Sequence, residues 1–156
     1  MPSALAAPIR LSDEAAEVAL AETQAVLAVV QSGERRARLG ALVAAIQERE
    51  VDEDDAQALE EILELGLSTG RIRGLYGPEG EQAALKLFRK LPGGKEISAS
   101  AREVSEALSA LEGQTLDVVS IQPAGPGAWV VTVGVEGREL SVRLDRSGAR
   151  IHSVGI

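Results

Sequence analysis

From Trp129 to Leu144 the chain alternates between apolar and polar residues. Trp129, Val131, Val133 and Val135 fall on one side, and Leu140, Val142 and Leu144 repeat the pattern after Glu136-Gly137. A period of two belongs to a strand with one buried face and excludes a helix, whose side chains return every 3.6 residues. Gly137 and the run Asp145-Arg146-Ser147-Gly148 supply the tight turns that strands need to fold back on their neighbours. The pattern predicts an antiparallel meander with strands over 115–122, 128–136, the stretch after Gly137, and 149–154, and with PAGPG (residues 123–127) as a loop. Val119 and Val130 fall out of step with the main stripe, which predicts that they face the other side.

A sheet with one apolar face needs a cover. The segment just upstream offers one: Ala101, Val104, Leu108 and Leu111 recur at helical spacing, and Gly113 suits the end of a helix. Ser100 with Glu103 matches a capping box, and Ser98 is an equally good cap. LPGG (residues 91–94) reads as a stop before this helix. Residues 98–156 are therefore expected to form a two-layer unit, one helix on an antiparallel meander.

ISASAREVSEAL followed by WVVTVGVEGRELSVRLDRSGARI resembles a PepSY-like module, through Ile97, Ser98, Trp129, Val131, Val133, Glu139, Val142, Asp145, Gly148 and Ile151. The resemblance covers residues 97–156. It implies a helix followed by strands, and a role as an inhibitor or chaperone of a peptidase, most often outside the cytoplasm.

Everything upstream reads as helical, so the fold class expected is α+β. Residues 1–11, with Pro2 and Pro8 and no period, read as a flexible lead. Residues 12–69 read as a helical hairpin or bundle. Ser12 is a good N-cap followed by Asp13, Glu14 and Glu17, and the first helix is expected to reach Ser32 with Gly33 as C-cap. A second helix spans 34–50 with a Leu39, Leu42, Val43, Ile46 stripe. Asp52–Asp55 provide N-terminal charge for a third, carrying Leu59, Ile62, Leu63 and Leu67 and ending at Gly66 or Gly70. VDEDDAQALEEI lacks the central glycine of a calcium loop.

Residues 70–97 read as a Gly-rich linker (GRIRGLYGPEG) and a basic helix from Pro78, with Gly77 as its cap. The glycines match neither the P-loop nor the dinucleotide fingerprint. Residues 71–95 carry six bases against two acids, whereas residues 1–67 carry a net −9 within a chain of net −8.

With no cysteine and a single histidine, His152, the chain has no thiolate chemistry and no Cys/His metal set. No cofactor or metal is expected, and no catalytic residue stands out, so the chain is not expected to be an enzyme. The acidic balance argues against general nucleic-acid binding. Aromatic residues are only 2% of the chain, so the core must be aliphatic. Wide Ala/Leu stripes on the helices then favour association with another chain.

The function expected is a protein–protein interaction module, an adaptor, scaffold or regulatory subunit, with a second copy of itself among its partners. The residues expected to carry it are Leu20, Leu27, Leu39 and Leu42 on the apolar stripes, Arg71, Arg73, Tyr76, Lys86, Arg89 and Lys90 in the basic segment, and Trp129. The alternatives are the PepSY-like peptidase inhibitor or chaperone, and a nucleic-acid-binding regulator acting through residues 71–95. The N-terminus lacks a basic region followed by an apolar core, and no run is apolar enough to span a bilayer, so a cytoplasmic location is expected.

Overall fold

The computed structural model describes residues 6–156. In order they form β1 (Ile9–Arg10), α1 (Asp13–Val29), α2 (Gly33–Gln47), β2 (Glu50–Val51), α3 (Glu53–Ser68), α4 (Arg71–Phe88), α5 (Pro92–Ser109), β3 (Val118–Gly125), β4 (Ala128–Val135), β5 (Arg138–Asp145) and β6 (Gly148–Gly155). The fold is α+β: five helices, then a four-stranded antiparallel sheet in the order β3-β4-β5-β6. Contacts divide the chain into two compact units, one up to Lys95 and one from Glu96 to Ile156. Among the described residues, no helix is long and apolar enough to cross a membrane.

The first unit is built on an aliphatic core in which Leu42, Ile46, Leu59, Leu63, Ile72, Leu87 and Leu91 are fully buried. Ser12 caps α1 as its residue type predicts, accepting from the Ala15 N–H at 3.2 Å, and Asp52 caps α3 by accepting from the Asp55 N–H at 2.9 Å. Helix α1 stops at Val29 rather than Ser32, and Gly33 is the first residue of α2 rather than a C-cap. The role expected of Gly33 is taken by Arg36, whose guanidinium donates to the Leu27 and Val30 carbonyls at 3.2 and 3.3 Å.

The lead expected to be flexible is ordered at Ile9–Leu11. Residues 1–5, including Pro2, lie outside the described residues. Ile9 and Arg10, however, form a strand against Val51 and Glu50, and Leu11 is buried beside them. The partner lies forty residues downstream, and a two-residue strand is too short to show a period. Arg49, at φ 62, turns the chain from α2 into β2, and its guanidinium pairs with Asp13.

The Gly-rich segment expected to be a linker is helical. Helix α4 begins at Arg71, immediately after Gly70 (φ 72) closes α3, and Gly66 lies inside α3. A Cβ at Gly66 would stand 2.7 Å from Ile72 Cδ1, so the missing side chain there lets Ile72 into the core. Burial of Ile72 holds a turn that glycine would otherwise leave loose. Helix α4 bends at Gly77 (φ 69, ψ −174) and restarts at Pro78, the first helical position expected for it.

LPGG likewise is a corner rather than a stop. Helix α5 starts at Pro92, the Gly93 N–H donates to Glu60 Oε2 at 2.8 Å, and a Cβ at Gly94 would overlap the Phe88 carbonyl. Ser98 and Ser100 therefore sit inside α5 and cap nothing; the Ser100 hydroxyl donates back to the Ile97 carbonyl at 3.1 Å.

In the second unit, the pairings Trp129↔Leu144, Val131↔Val142 and Val133↔Leu140 place the alternating residues on one face, as read. Val119 pairs with Val133 and so shares that face, contrary to expectation; Val130, opposite Gln122 and Arg143, is on the other. Pro123–Gly125, expected as loop, continue β3 with an irregularity between Pro123 and Gly125, which an edge strand tolerates. Glu136 and Gly137, at φ 50 and 80, make the two-residue turn between β4 and β5. From α5, Val104 and Ala107 pack on Val133, Leu140, Val142 and Ala149.

Candidate protein-interaction site

Helices α2 and α3 do not close on each other along their whole length. Between them, near the end of α1, lies a groove of ≈ 470 Å³. Val26, Leu39, Ala58 and Ile62 supply its apolar floor, with Leu65, 60% exposed, at one end. Arg35 and Arg38 line the α2 side, and Asp54, Gln57 and Glu61 line the α3 side. Glu34, in the first turn of α2, is the one acid on the α2 side.

The local sequence explains the arrangement. Asp54 is in the first turn of α3, where negative charge suits the helix N-terminus, and Glu61 follows seven residues on, two turns along the same side. Leu39 and Ile62 turn inward to the core, and the charges flanking them stay in water. Among the described residues, Arg35, Arg38, Asp54 and Glu61 make neither an ion pair nor a side-chain hydrogen bond. Six other pairs do form, from Arg10–Glu50 to Arg150–Asp145. An apolar floor between unpaired charged walls is the chemistry of a groove that receives an amphipathic helix.

A second constellation lies elsewhere in this unit. Glu22, on α1, is 4% exposed. Arg71 Nε donates to both its carboxylate oxygens, at 3.3 and 3.1 Å, and the Tyr76 hydroxyl donates at 2.9 Å. Burial, with the hydrogen bond and charge of Glu22, raises the Tyr76 phenol above its ordinary value. With both oxygens engaged by the protein, this carboxylate is a clamp between α1 and α4 rather than a free acid or base.

The expected partner-binding residues are scattered by the fold. Leu42 is fully buried and Leu39 nearly so, which removes Leu42 from any surface and leaves Leu39 only as part of the groove floor. Leu20 and Leu27 are half-buried against the same core. Arg71 and Tyr76 come together on Glu22, and Arg73 pairs with Glu81 at 2.8 Å. The Lys90 ammonium donates to the Arg10 carbonyl at 3.3 Å, and Lys86 and Arg89 are exposed. Half of the six-base concentration is thus spent on contacts within the unit.

Trp129, in the second unit, is 47% exposed on the apolar sheet face beside Leu144. Val119 and Ile121 are exposed on the same face. On the other flank of α5 an apolar hollow of ≈ 410 Å³ is lined by Ala107, Leu111, Val135, Leu140, Val154 and Ile156. His152 is exposed on edge strand β6, where the register slips and leaves it without a cross-strand partner.

The groove is not legible in the sequence, where Arg35 and Arg38 fall largely outside the apolar stripe of α2 and Asp54 complements the dipole of α3, each within its own helix. Sequence reading also misses Glu22, although a signal is present: position 22 falls in the apolar stripe between Ala19 and Val26. Comparison of the chain with protein-family models, with curated proteins and with solved structures returned no match.

Proposed function

We propose that this chain is a non-enzymatic protein–protein interaction module, an adaptor, scaffold or regulatory subunit, and that it receives an amphipathic helix in the α2–α3 groove. The observation that carries the reading is the set of unpaired charges, Arg35 and Arg38 facing Asp54 and Glu61, on either side of an apolar floor. A helix seated there would bury its apolar stripe on Leu39, Ile62 and Leu65 and meet mainly basic charge on one flank and acidic charge on the other. The same reading takes the protein to be cytoplasmic and to act on proteins rather than on membranes or nucleic acid.

The test is a photo-crosslinking residue at Gln57, carried by the full chain in the cells that make it. Adducts with a polypeptide, lost when Leu65→Asp is added, are the result expected. Absence of any polypeptide adduct from a folded chain overturns the reading.

A second reading is the PepSY-like inhibitor or chaperone. It draws support from the exposed apolar residues Val119, Ile121 and Trp129 on the sheet face of the second unit, which suit a hydrophobic client. Weakened binding of a peptidase by Trp129→Ala, with the groove intact, would favour it. The nucleic-acid alternative is the weakest, since Arg71 and Arg73 would first have to leave Glu22 and Glu81.

A further inference from the structure

We infer that the occupant of the α2–α3 groove is a second copy of this chain, docked about a two-fold axis so that α2 of each copy lies against α3 of the other. This rests on the reading of the groove as a helix-binding surface and adds the identity of the partner. A two-fold interface must be self-complementary: whatever one residue meets, its partner meets in turn. A groove with two basic walls or two acidic walls fails this condition, because the axis sets like charge against like. This groove passes it. Its α2 side carries Arg35 and Arg38 against one acid, Glu34, and its α3 side carries Asp54 and Glu61 with no base, so the two walls stay opposite in net sign.

The two-fold places the arginines of each copy beside the acids of the other, twice over, and brings the two floors, with the exposed Leu65, together as one apolar seam. The four side chains are free to do this, since among the described residues none is engaged in an ion pair or a side-chain hydrogen bond. The groove is also carried on a core with few large side chains: only one Phe, one Tyr and one Trp occur in 156 residues. Leu39 and Ile62 are already buried, so Leu65, 60% exposed, is the floor residue with the most apolar area left for docking to add to such a core.

The geometry makes a prediction that no asymmetric partner shares. Arg35→Glu with Arg38→Glu sets acid against acid at both junctions of the homodimer. Asp54→Arg with Glu61→Arg sets base against base at both. Each double variant is therefore expected to weaken its own homodimer by at least about ten-fold, since like charges across an interface are strongly unfavourable. Mixing the two double variants sets acid against base at both junctions, so the mixture forms a heterodimer. The fourfold exchange within one chain restores both junctions and dimerises.

Sedimentation equilibrium of the full chain, with circular dichroism to confirm each fold, reads all four cases. A native chain that stays monomeric at millimolar concentration overturns the proposal, as does a dimer that both double variants leave unchanged. So does a mixture that fails to pair while the native chain does. If the Gln57 crosslinker captures only a different protein, the groove reading stands and the second copy is excluded. Capture of the chain itself, with charge-dependent pairing, supports both.

Discussion

Arg71 Nε lies 3.3 and 3.1 Å from the two carboxylate oxygens of Glu22, a residue 49 positions earlier, and the pair is lopsided: the arginine side chain is 52% exposed and the glutamate 5%. The consequence of breaking it depends on which partner is removed. Arg71→Ala leaves a buried carboxylate held by Tyr76 alone and is expected to cost about 2–4 kcal/mol. Glu22→Gln leaves an acceptor for Tyr76 and an arginine already in contact with water, and is expected to cost less than about 1.5 kcal/mol. Urea denaturation of the full chain followed by far-ultraviolet circular dichroism ranks the two. The reverse order would contradict the burial argument.

Tyr76 is the only tyrosine, so an absorbance titration reports it alone. Its phenol is raised by burial and by the hydrogen bond and negative charge of Glu22. A group that holds its proton more tightly when folded supports the fold while protonated, and that support is lost as pH rises through the window above the ordinary phenol value of about 10. Glu22→Gln removes the charge and is expected to bring the titration back toward the ordinary value. An unchanged midpoint would show that Glu22 does not act on Tyr76.

Gly74 and Gly77 lie three residues apart in α4 yet behave oppositely. Gly77 (φ 69, ψ −174) is in a region that side chains avoid, and no neighbour would touch a Cβ there, so Gly77→Ala isolates backbone strain and is expected to cost about 1–3 kcal/mol. Gly74 lies within the first part of α4, again with open space around it. Gly74→Ala is expected to stabilise by about 0.5–1 kcal/mol through helix propensity. Thermal melts of both variants check the signs. Stabilisation by Gly77→Ala would mean that the bend is dispensable.

Asp145 organises the turn between β5 and β6. It accepts from the Ser147 N–H at 2.9 Å, from the Ser147 hydroxyl at 2.5 Å and from Arg143 Nε at 3.1 Å. Those hydrogen bonds, with Arg150 nearby, hold its carboxyl well below the ordinary aspartate value. The stabilisation is therefore fully present above the ordinary value, about 3.9, and is lost as pH falls through the lower, folded one. Asp145→Asn is expected to weaken the second unit at neutral pH, with the gap to the native chain closing as the solution is acidified. Trp129, the sole tryptophan, lies in this unit and supplies a fluorescence signal for it. A gap that stays constant down to strong acid would sink the assignment.

Local pattern was enough wherever one face or one cap decides the outcome. The alternation over 129–144 determined the strands, the Ser12 and Asp52 side chains determined two helix starts, and Pro78 marked where α4 resumes, because each depends on neighbours within one turn or one hairpin. Tertiary structure decided what glycine and charge left open. The segment 70–80 looks like a linker until Ile72 fills the space over Gly66 and Glu22 binds Arg71 and Tyr76. Ile9 looks unstructured until Val51 pairs with it, and Val119 changes face once its register with Val133 is set. The groove has the same origin: Arg35 and Asp54 are ordinary surface charges on separate helices, and only the packing of α2 beside α3 sets them on facing walls. These contacts join residues distant in the chain, and a sequence pattern carries information on periodicity within an element but none on which elements meet.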